Sequence, residues 1–330
     1  MKQQKNIKCI MLKQKYWEYK LRKGKKKRMF GHRPDGKKTK NLPPIFKIMP
    51  CVMLDRADSQ VYFKQDIALR NLDEYIDKKA KEGIRLSYMN IIYAALVRII
   101  SQRPNLNRFA MNGALYERDK IYVSLVIKKS LTDDGPETPI KLAFNGNENI
   151  FEIKEKLDAT IEKNKELENS NKTDKLVNVL NIIPSVLIRT VVKFLMFLDK
   201  HGLLARKIID ASPFHTSVFL TNVGSLGIDS IYHHIYNFGT TSMFFSMGKK
   251  KKSYIYEDDE IKEEKCITLA FVGDERICDG YYYASSFKLL SKYLKKPELL
   301  EKEIERFRSV VERGASYFFE IAQKGEIQSA

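Results

Sequence analysis

The chain has 330 residues, of which 43% are hydrophobic and 11% aromatic, enough to bury the core of one large domain or of two small ones. Its formal net charge of +18 is concentrated at one end. Residues 1–42 hold 16 Lys and Arg against two acids, whereas the other residues hold 43 bases and 39 acids. The charge therefore belongs to an N-terminal arm, which argues against a strongly basic nucleic-acid-binding domain.

The basic arm, residues 1–42, is predicted to be flexible, and residues 43–330 are predicted to form the folded domain. The aromatic residues of the arm, Tyr16, Trp17 and Tyr19, are too few and too clustered for a base-stacking surface. No specific nucleic acid is therefore expected. A neighbouring subunit, an acidic protein and an anionic membrane stay open as partners of the arm.

Helical spacing of apolar residues predicts helices over residues 66–80 and from Ser87, as N-cap, to just before Arg103-Pro104. Residues 120–128 alternate between apolar and other side chains and are predicted to form a strand. The spacing at 150–161 predicts another helix.

Residues 176–210 are apolar and helical in pattern but are broken by Pro184. Their longest stretch without a charge, residues 176–188, is shorter than the roughly 18–20 residues that cross a bilayer. Buried or interfacial helices are therefore predicted here, and not a transmembrane span.

The pattern becomes rich in strands after residue 217. Strands are predicted at 217–221, 241–248 and 266–272, with a charged turn over 249–265 between the last two. Two helices follow, one from Gly280 to before Pro297 and one after it. Helices and strands without strict βαβ alternation predict an α+β sandwich.

The four cysteines are widely spaced and contain no C-x-x-C pair, which is typical of reduced thiols in a cytoplasmic protein. The histidines His215, His233 and His234 have no carboxylate or third ligand at matching spacing. No metal site is therefore predicted.

The octet Gly273–Gly280 reads G-D-E-R-I-C-D-G. It resembles the D-H-R-x-x-D-G signature of the acyltransferase cores of 2-oxo acid dehydrogenase complexes, the dihydrolipoyl acyltransferases, which share a fold with chloramphenicol acetyltransferase. Residues 218–227 resemble the family's T-x-S-N-L-G-x-x-G strand, and Arg103–Asn107 resembles its "fP-x-lN" turn. The resemblance covers roughly residues 45–312, with 167–212 as an enlarged insertion.

The resemblance implies a chloramphenicol acetyltransferase-like two-layer sandwich, assembled as a homotrimer, with coenzyme A or acyl-CoA as co-substrate in a channel between subunits. In the family, a His at the place of Glu275 is the general base, and a Ser at the place of Thr221 stabilises the oxyanion. Asp279 is implied to form an ion pair that steadies the loop. Arg276, Asn222 and Gly280 are the implied supporting residues.

Glu275 is the departure from the family, and it leaves two functions open. An exposed carboxylate is a feeble base toward a thiol or hydroxyl, whereas burial in an apolar channel makes a carboxylate more basic. The first function is a stand-alone acyltransferase acting on a small thiol, hydroxyl or amine, because nothing in the arm resembles a lipoyl domain. The alternative is a trimeric scaffold or CoA-binding pseudoenzyme in which Glu275 is an ion-paired loop residue.

Other residues compete for roles in the site. One of the histidines His215, His233 and His234 would replace the lost base, and Cys278 would be either a nucleophile or a buried filler. The segment Gly224–Gly227 fits a tight turn at a strand end better than a phosphate-binding loop, because it lacks the Lys-Ser/Thr ending.

Overall fold

The structure is a computed structural model that describes residues 32–128, 137–165, 184–257 and 259–302. The strands are β1 Gly36–Lys38, β2 Gln60–Ala68, β3 Arg108–Met111, β4 Ala114–Arg118, β5 Ile121–Lys128, β6 Glu137–Phe144, β7 Val218–Asn222, β8 Met243–Glu257 and β9 Glu260–Asp274. The helices are α1 Pro44–Val52, α2 Arg70–Lys81, α3 Tyr88–Gln102, α4 Ile150–Lys165, α5 Ser185–Lys200, α6 Arg206–Ala211 and α7 Gly280–Lys295.

A mixed six-stranded sheet forms one layer of the molecule. Its order is β2-β9-β8-β7-β5-β6, and β7 runs parallel to both β5 and β8 while the other pairs are antiparallel. Helices α2, α3, α4 and α7 supply buried residues to the core that also takes the inward side chains of this sheet. A second sheet, β1-β4-β3, is small. The predicted α+β two-layer sandwich is confirmed.

The core follows from the two periodicities of the sequence. On β5, Val123, Leu125 and Ile127 are buried in the main cluster, as their alternation predicted. Helix α3 begins at the predicted N-cap, because the Ser87 hydroxyl accepts from the backbone N–H of Asn90 while the Asn90 side chain accepts from Ser87. Every residue of α3 from 90 to 100 is buried, so this helix is the centre of the helical layer.

The prediction of a charged turn over residues 249–265 is wrong. Strands β8 and β9 continue as a two-stranded ribbon to Glu257 and Glu260, and Asp259 takes the positive φ of the turn (63°). Lys252 lies opposite Lys265 and forms an ion pair with Glu263 (2.7 Å). Charged side chains share this ribbon with the exposed residues Tyr254, Tyr256 and Ile261, a composition that solvent-facing strands tolerate as well as turns do.

The N-terminal arm enters the fold earlier than predicted. Arg33 and Asp35 are buried, and β1 pairs with β4. The Arg33 guanidinium donates to both carboxylate oxygens of Asp35 (2.9 and 3.0 Å) and to the Asp199 carboxylate (2.8 Å). A charge with two carboxylate partners is stable inside the protein, so residues 33–38 belong to the folded domain.

The remaining sequence predictions fall partly on residues that the structure does not describe. The described part of the 167–212 insertion contains α5 and α6, whereas the helix predicted after Pro297 is described only as a 3₁₀ turn, Pro297–Leu300. Among the described helices, none combines the length and the apolar content needed to cross a bilayer.

Candidate functional site

The loop that follows β9 is fixed by a buried ion pair between neighbouring residues. Nε and the backbone N–H of Arg276 donate to Oδ1 of Asp274 (2.8 and 3.1 Å), and Nη2 donates to Oδ2 (2.8 Å). Nη1 donates to the carbonyl oxygens of Met53 and Leu54 (3.1 and 3.3 Å). Bidentate pairing of a fully buried carboxylate holds the 3₁₀ turn Glu275–Ile277 in one conformation.

Glu275 begins this turn and presents a partly buried carboxylate. Its backbone N–H donates to the carbonyl oxygen of Ser59 (2.8 Å), at the start of β2. Within the described part of the chain, the Glu275 carboxylate has neither a hydrogen-bond donor nor an ion-pair partner. The ion-paired alternative for Glu275 therefore finds no support inside one described protomer.

The Glu275 side chain lines a cavity of about 420 Å³ between the edge strand β2 and helix α7. Aromatic rings form much of the wall, and Phe63 stacks on Phe287 with ring centroids 4.8 Å apart. The lining residues are Val61, Tyr62, Phe63, Gln65, Phe271, Glu275, Gly280, Tyr283, Ala284, Phe287, Lys288 and Ser291. A carboxylate at the rim of such an apolar volume is placed to meet a ligand with a small polar reacting group.

Exposed lysines lie next to this cavity. Lys288 and Ser291 also line a second hollow, whose other lining residues are Lys292, Lys295 and Lys296. These lysines repeat along the outer face of α7 at three- and four-residue steps. Their sequence signal is weak, because a lysine stripe on a helix is most often a solvated face, and only the adjacent cavity distinguishes this one.

Asp279 serves as a helix cap, and it has no ion-pair partner among the residues that the structure describes. Its Oδ1 accepts from the backbone N–H of Tyr282 (2.7 Å), which makes it the N-cap of α7. The ion pair of the loop is formed by Asp274 and Arg276 instead. Gly280 is the first residue of α7 and lines the cavity, with no atom within 4 Å of the place where a Cβ would stand.

Thr221 and Asn222 end strand β7, in a second region of the sheet. Oδ1 of Asn222 accepts from the backbone N–H of Ser225 (3.2 Å) and caps the 3₁₀ turn Val223–Leu226. The Thr221 side chain is partly buried, and its hydroxyl has no hydrogen-bond partner among the described residues. The hydroxyl is therefore free to donate to a ligand.

Glycines let the chain after Thr221 pack against β8. A Cβ on Gly224 would lie 2.4 Å from the carbonyl oxygen of Gly248, and a Cβ on Gly248 would lie 2.4 Å from the backbone nitrogen of Ser230. The glycine pattern of residues 224–227 thus marks a turn packed on a neighbouring strand, in agreement with the tight-turn interpretation.

Replacing Gly224 with Ala is expected to destabilise the protein by about 1–3 kcal/mol, because the new methyl group overlaps the backbone of Gly248. Gly280→Ala is the matched control, since the same methyl group meets open space at the start of α7. Thermal unfolding followed by circular dichroism compares the two. Equal unfolding midpoints for the two variants would show that the turn accommodates the methyl group without loss of stability.

One protomer does not bring Thr221 and Glu275 together. Thr221 is in register with Ser246 on β8, which is in register with Ala270 on β9, and Glu275 follows five residues further along. Two strand spacings and five residues of rise separate the two positions by roughly 19 Å. Alternation also places Thr221 on the face of β7 opposite to the core residue Leu220. A site that uses both side chains needs a second protomer.

Neither the alternative bases nor the alternative nucleophile lines the cavity. His215 is 2% exposed, with Nδ1 2.8 Å from the Ser212 hydroxyl and Nε2 3.1 Å from Oδ2 of Asp199, and burial lowers its pKa. This ring belongs to a buried structural network. Cys278 is fully buried, and burial raises the pKa of its thiol well above the ordinary value. The buried-filler interpretation of Cys278 is therefore favoured.

The tandem histidines pack on the opposite face of the sheet from the main core. The His233 ring stacks on Phe244 with centroids 4.0 Å apart, its Nδ1 lies 2.8 Å from the carbonyl oxygen of His234, and partial burial lowers its pKa. Neither ring lines the cavity at Glu275. Within the residues that the structure describes, no group of three or more His, Cys, Asp or Glu is placed to hold a metal ion.

Comparison with protein families gives one match. Residues 209–301 match the family of 2-oxoacid dehydrogenases acyltransferase (catalytic domain). The matched range begins at the end of α6 and contains β7, β8, β9 and α7, and hence both Thr221 and Glu275. A search of curated protein sequences finds no match.

Solved structures with similar shapes share little sequence with this chain. A probable dihydrolipoamide acetyltransferase from Listeria monocytogenes is 14% identical, and the superposition covers 82% of this chain and 99% of that one at a TM-score of 0.47. A truncated catalytic core of the 2-oxoacid dehydrogenase complex from Thermoplasma acidophilum is 12% identical (79% and 99% covered, TM-score 0.49). A chloramphenicol acetyltransferase is 10% identical (79% and 100% covered, TM-score 0.49).

The family match confirms the sequence resemblance carried by the octet, within residues 209–301. Residues 209–301, which supply the loop of Glu275 and the strand of Thr221, are similar to the catalytic domain of the 2-oxoacid dehydrogenase acyltransferases.

Proposed function

We propose that this protein is an acyltransferase that moves an acyl group from acyl-CoA to a small thiol, hydroxyl or amine acceptor. The observation that carries the proposal is that the Glu275 carboxylate lines an apolar cavity and has no partner among the described residues. A base must be free to take a proton and must lie within reach of the bound acceptor, and this side chain lines the cavity with no partner among the described residues.

The chemistry follows in two proton transfers. The Glu275 carboxylate takes the proton of the acceptor X–H while X attacks the carbonyl carbon of the thioester. The oxyanion of the tetrahedral intermediate accepts a hydrogen bond from the Thr221 hydroxyl. Collapse of the intermediate breaks the carbon–sulfur bond, and the departing CoA thiolate takes the proton back from Glu275.

The separation of Glu275 and Thr221 supports an oligomer as the working unit. Because roughly 19 Å lies between them along the sheet of one protomer, the base and the oxyanion donor would come from neighbouring subunits. We infer a homotrimer with three such sites, as the family resemblance implies. The arrangement leaves the cavity beside edge strand β2 open to a channel between subunits.

The lysines of α7 support CoA as the acyl carrier. CoA joins a narrow, largely uncharged thiol arm to a nucleotide with three phosphate groups. The apolar cavity at Glu275 suits the arm and the acyl group, and the adjacent hollow of Lys288, Lys292, Lys295 and Lys296 suits the phosphates. The two hollows share Lys288 and Ser291, so one molecule reaches both.

Calorimetric titration with CoA, acetyl-CoA and dephospho-CoA tests this arrangement. Micromolar binding of CoA is expected, with about tenfold weaker binding to a Lys288→Gln/Lys292→Gln variant because charge-assisted bonds to phosphate are lost. Lys249→Gln/Lys262→Gln, on the β8–β9 ribbon, is the control and should bind as the wild type. No binding at millimolar CoA would remove acyl-CoA from the proposal.

A second candidate function is a CoA-binding pseudoenzyme or trimeric scaffold, and Glu at the place of the family's His favours it. The two candidates share the fold and differ in turnover. Calorimetric titration of a Glu275→Gln variant with CoA tests what both candidates assume, which is that CoA binds beside Glu275. A changed CoA affinity places Glu275 in the ligand site, whereas an unchanged affinity places the ligand elsewhere.

A further inference from the structure

Helix α5 carries two parallel stripes on its exposed face. Leu187, Phe194 and Phe197 are 52%, 57% and 52% exposed and lie on one side of the helix at three- and seven-residue steps. Exposed basic residues form the adjacent stripe, and they are Arg189, Lys193 and Lys200. Leu203, which follows the helix, is also exposed (37%). The helix thus presents apolar and cationic side chains side by side to solvent.

The only acid of α5 is withdrawn from this surface. Asp199 is buried, and its carboxylate accepts from Arg33 (2.8 Å) and lies 3.1 Å from His215 Nε2. The charges that α5 exposes are therefore all positive. The same contacts fix the rotation of the helix, because they hold the side opposite to the two stripes against the folded domain.

The most basic segment of the chain joins the fold beside the end of α5. A Cβ on Gly202 would lie 2.8 Å from the carbonyl oxygen of His32, and Nη1 of Arg33 donates to the carbonyl oxygen of Asp199 (2.6 Å). Residues 1–31, which precede this point, hold 12 Lys and Arg and one acid, Glu18. The point at which this segment joins the described fold thus lies beside the end of α5.

We propose that this surface binds the anionic face of a lipid bilayer. Apolar side chains of an amphipathic helix enter the boundary between headgroups and acyl chains, while flanking Lys and Arg pair with anionic headgroups. A helix of 16 residues is about 24 Å long, shorter than the roughly 30 Å of the hydrocarbon core, and Asp199 ties it to the domain. The helix therefore lies on the surface and does not cross it.

Other occupants fit the surface less well. A second copy docked symmetrically on α5 would bring the two basic stripes toward each other, where like charges repel. A nucleic acid would pair with the lysines but leave the Phe and Leu stripe in contact with phosphate and water. Of these three occupants, only a bilayer of anionic lipid satisfies the apolar and the cationic stripe together. This inference is independent of the proposed acyl transfer.

Vesicle co-sedimentation with the full-length protein tests the proposal. Binding is expected to vesicles of phosphatidylcholine mixed with phosphatidylglycerol, to fall with added salt, and to be absent from phosphatidylcholine alone. Phe194→Gln/Phe197→Gln is expected to weaken binding roughly tenfold or more, since two partly exposed rings no longer enter the bilayer. Arg189→Gln/Lys193→Gln/Lys200→Gln should weaken binding comparably and flatten its salt dependence.

The matched control is Tyr254→Gln/Tyr256→Gln, which removes from the β8–β9 ribbon two aromatic rings that are more exposed (73% and 70%) than those of Phe194 and Phe197. This variant should bind vesicles as the wild type does. Absence of wild-type binding overturns the proposal, and so does full binding by the Phe194 and Phe197 variant, which would leave the arm alone responsible. If the wild type does not bind vesicles and the Phe194→Gln/Phe197→Gln variant no longer forms oligomers, the surface is assigned to a second copy of the chain.

Discussion

A Glu275→Gln variant is expected to transfer acyl groups about 10²–10⁴-fold more slowly than the wild type, because the amide cannot take a proton from the acceptor. The substitution keeps the shape of the side chain, and the loop is held by Asp274 and Arg276, so the fold should be unchanged. The measurement is loss of the acetyl-CoA thioester absorbance in the presence of small thiols, alcohols and amines as acceptors.

The control for this loss is Glu298→Gln, an exposed acid in the 3₁₀ turn after α7. It should transfer at the wild-type rate. A Glu275→Gln variant as fast as the wild type would contradict the base role. If the wild type shows no transfer and Glu275→His creates it, the protein is a pseudoenzyme that has retained the family's site without its base.

The sequence was a good guide wherever a segment has a regular period and a clear boundary. Helix α3 illustrates this, since Ser87 supplies a cap, apolar residues recur at helical steps, and Pro104 ends the pattern. The β8–β9 ribbon illustrates the opposite. Its lysines and glutamates are compatible with both turn and strand, and only the antiparallel ladder from Lys250–Ile267 to Glu257–Glu260 decides between them.

Parts of the site depend on contacts between residues distant in the chain, which no local pattern encodes. The octet points to Glu275, but the aromatic wall at Phe63 exists only because β2 pairs with β9 beside α7. Likewise, the resemblance implied an ion pair for Asp279. Among the described residues, the ion pair of this loop joins Arg276 to Asp274, two residues away, and Asp279 caps α7.

The arm shows how a single pairing shifts a domain boundary. By composition, Arg33 belongs with the basic residues that precede it. Its guanidinium nevertheless pairs with Asp35 and Asp199 in the interior and lies 5.0 Å from the Phe109 ring centroid. Asp199 lies 166 residues away in the chain, so its pairing with Arg33 cannot be predicted from local charge density. The proposed boundary of the folded domain therefore lies near residue 33 and not at residue 43.

Mixing two inactive variants is expected to restore acyl transfer. Thr221→Val removes the oxyanion donor and should slow transfer about 10²–10³-fold on its own. If each site takes Glu275 from one subunit and Thr221 from its neighbour, mixed oligomers of Thr221→Val and Glu275→Gln subunits contain some sites with both side chains intact. Random mixing in equal amounts should restore about a quarter of the wild-type rate, one intact pairing in four at each subunit contact.

The experiment requires the two variants to be unfolded and refolded together, or expressed together, since oligomers formed separately exchange subunits slowly. Separately formed oligomers, combined without exchange, are the control and should stay inactive. Absence of restoration in mixed oligomers of wild-type size would place both side chains in one protomer, against the separation of roughly 19 Å along the sheet. Glu275 would then work with a different oxyanion donor, and the Thr221 hydroxyl would serve the fold and not the reaction.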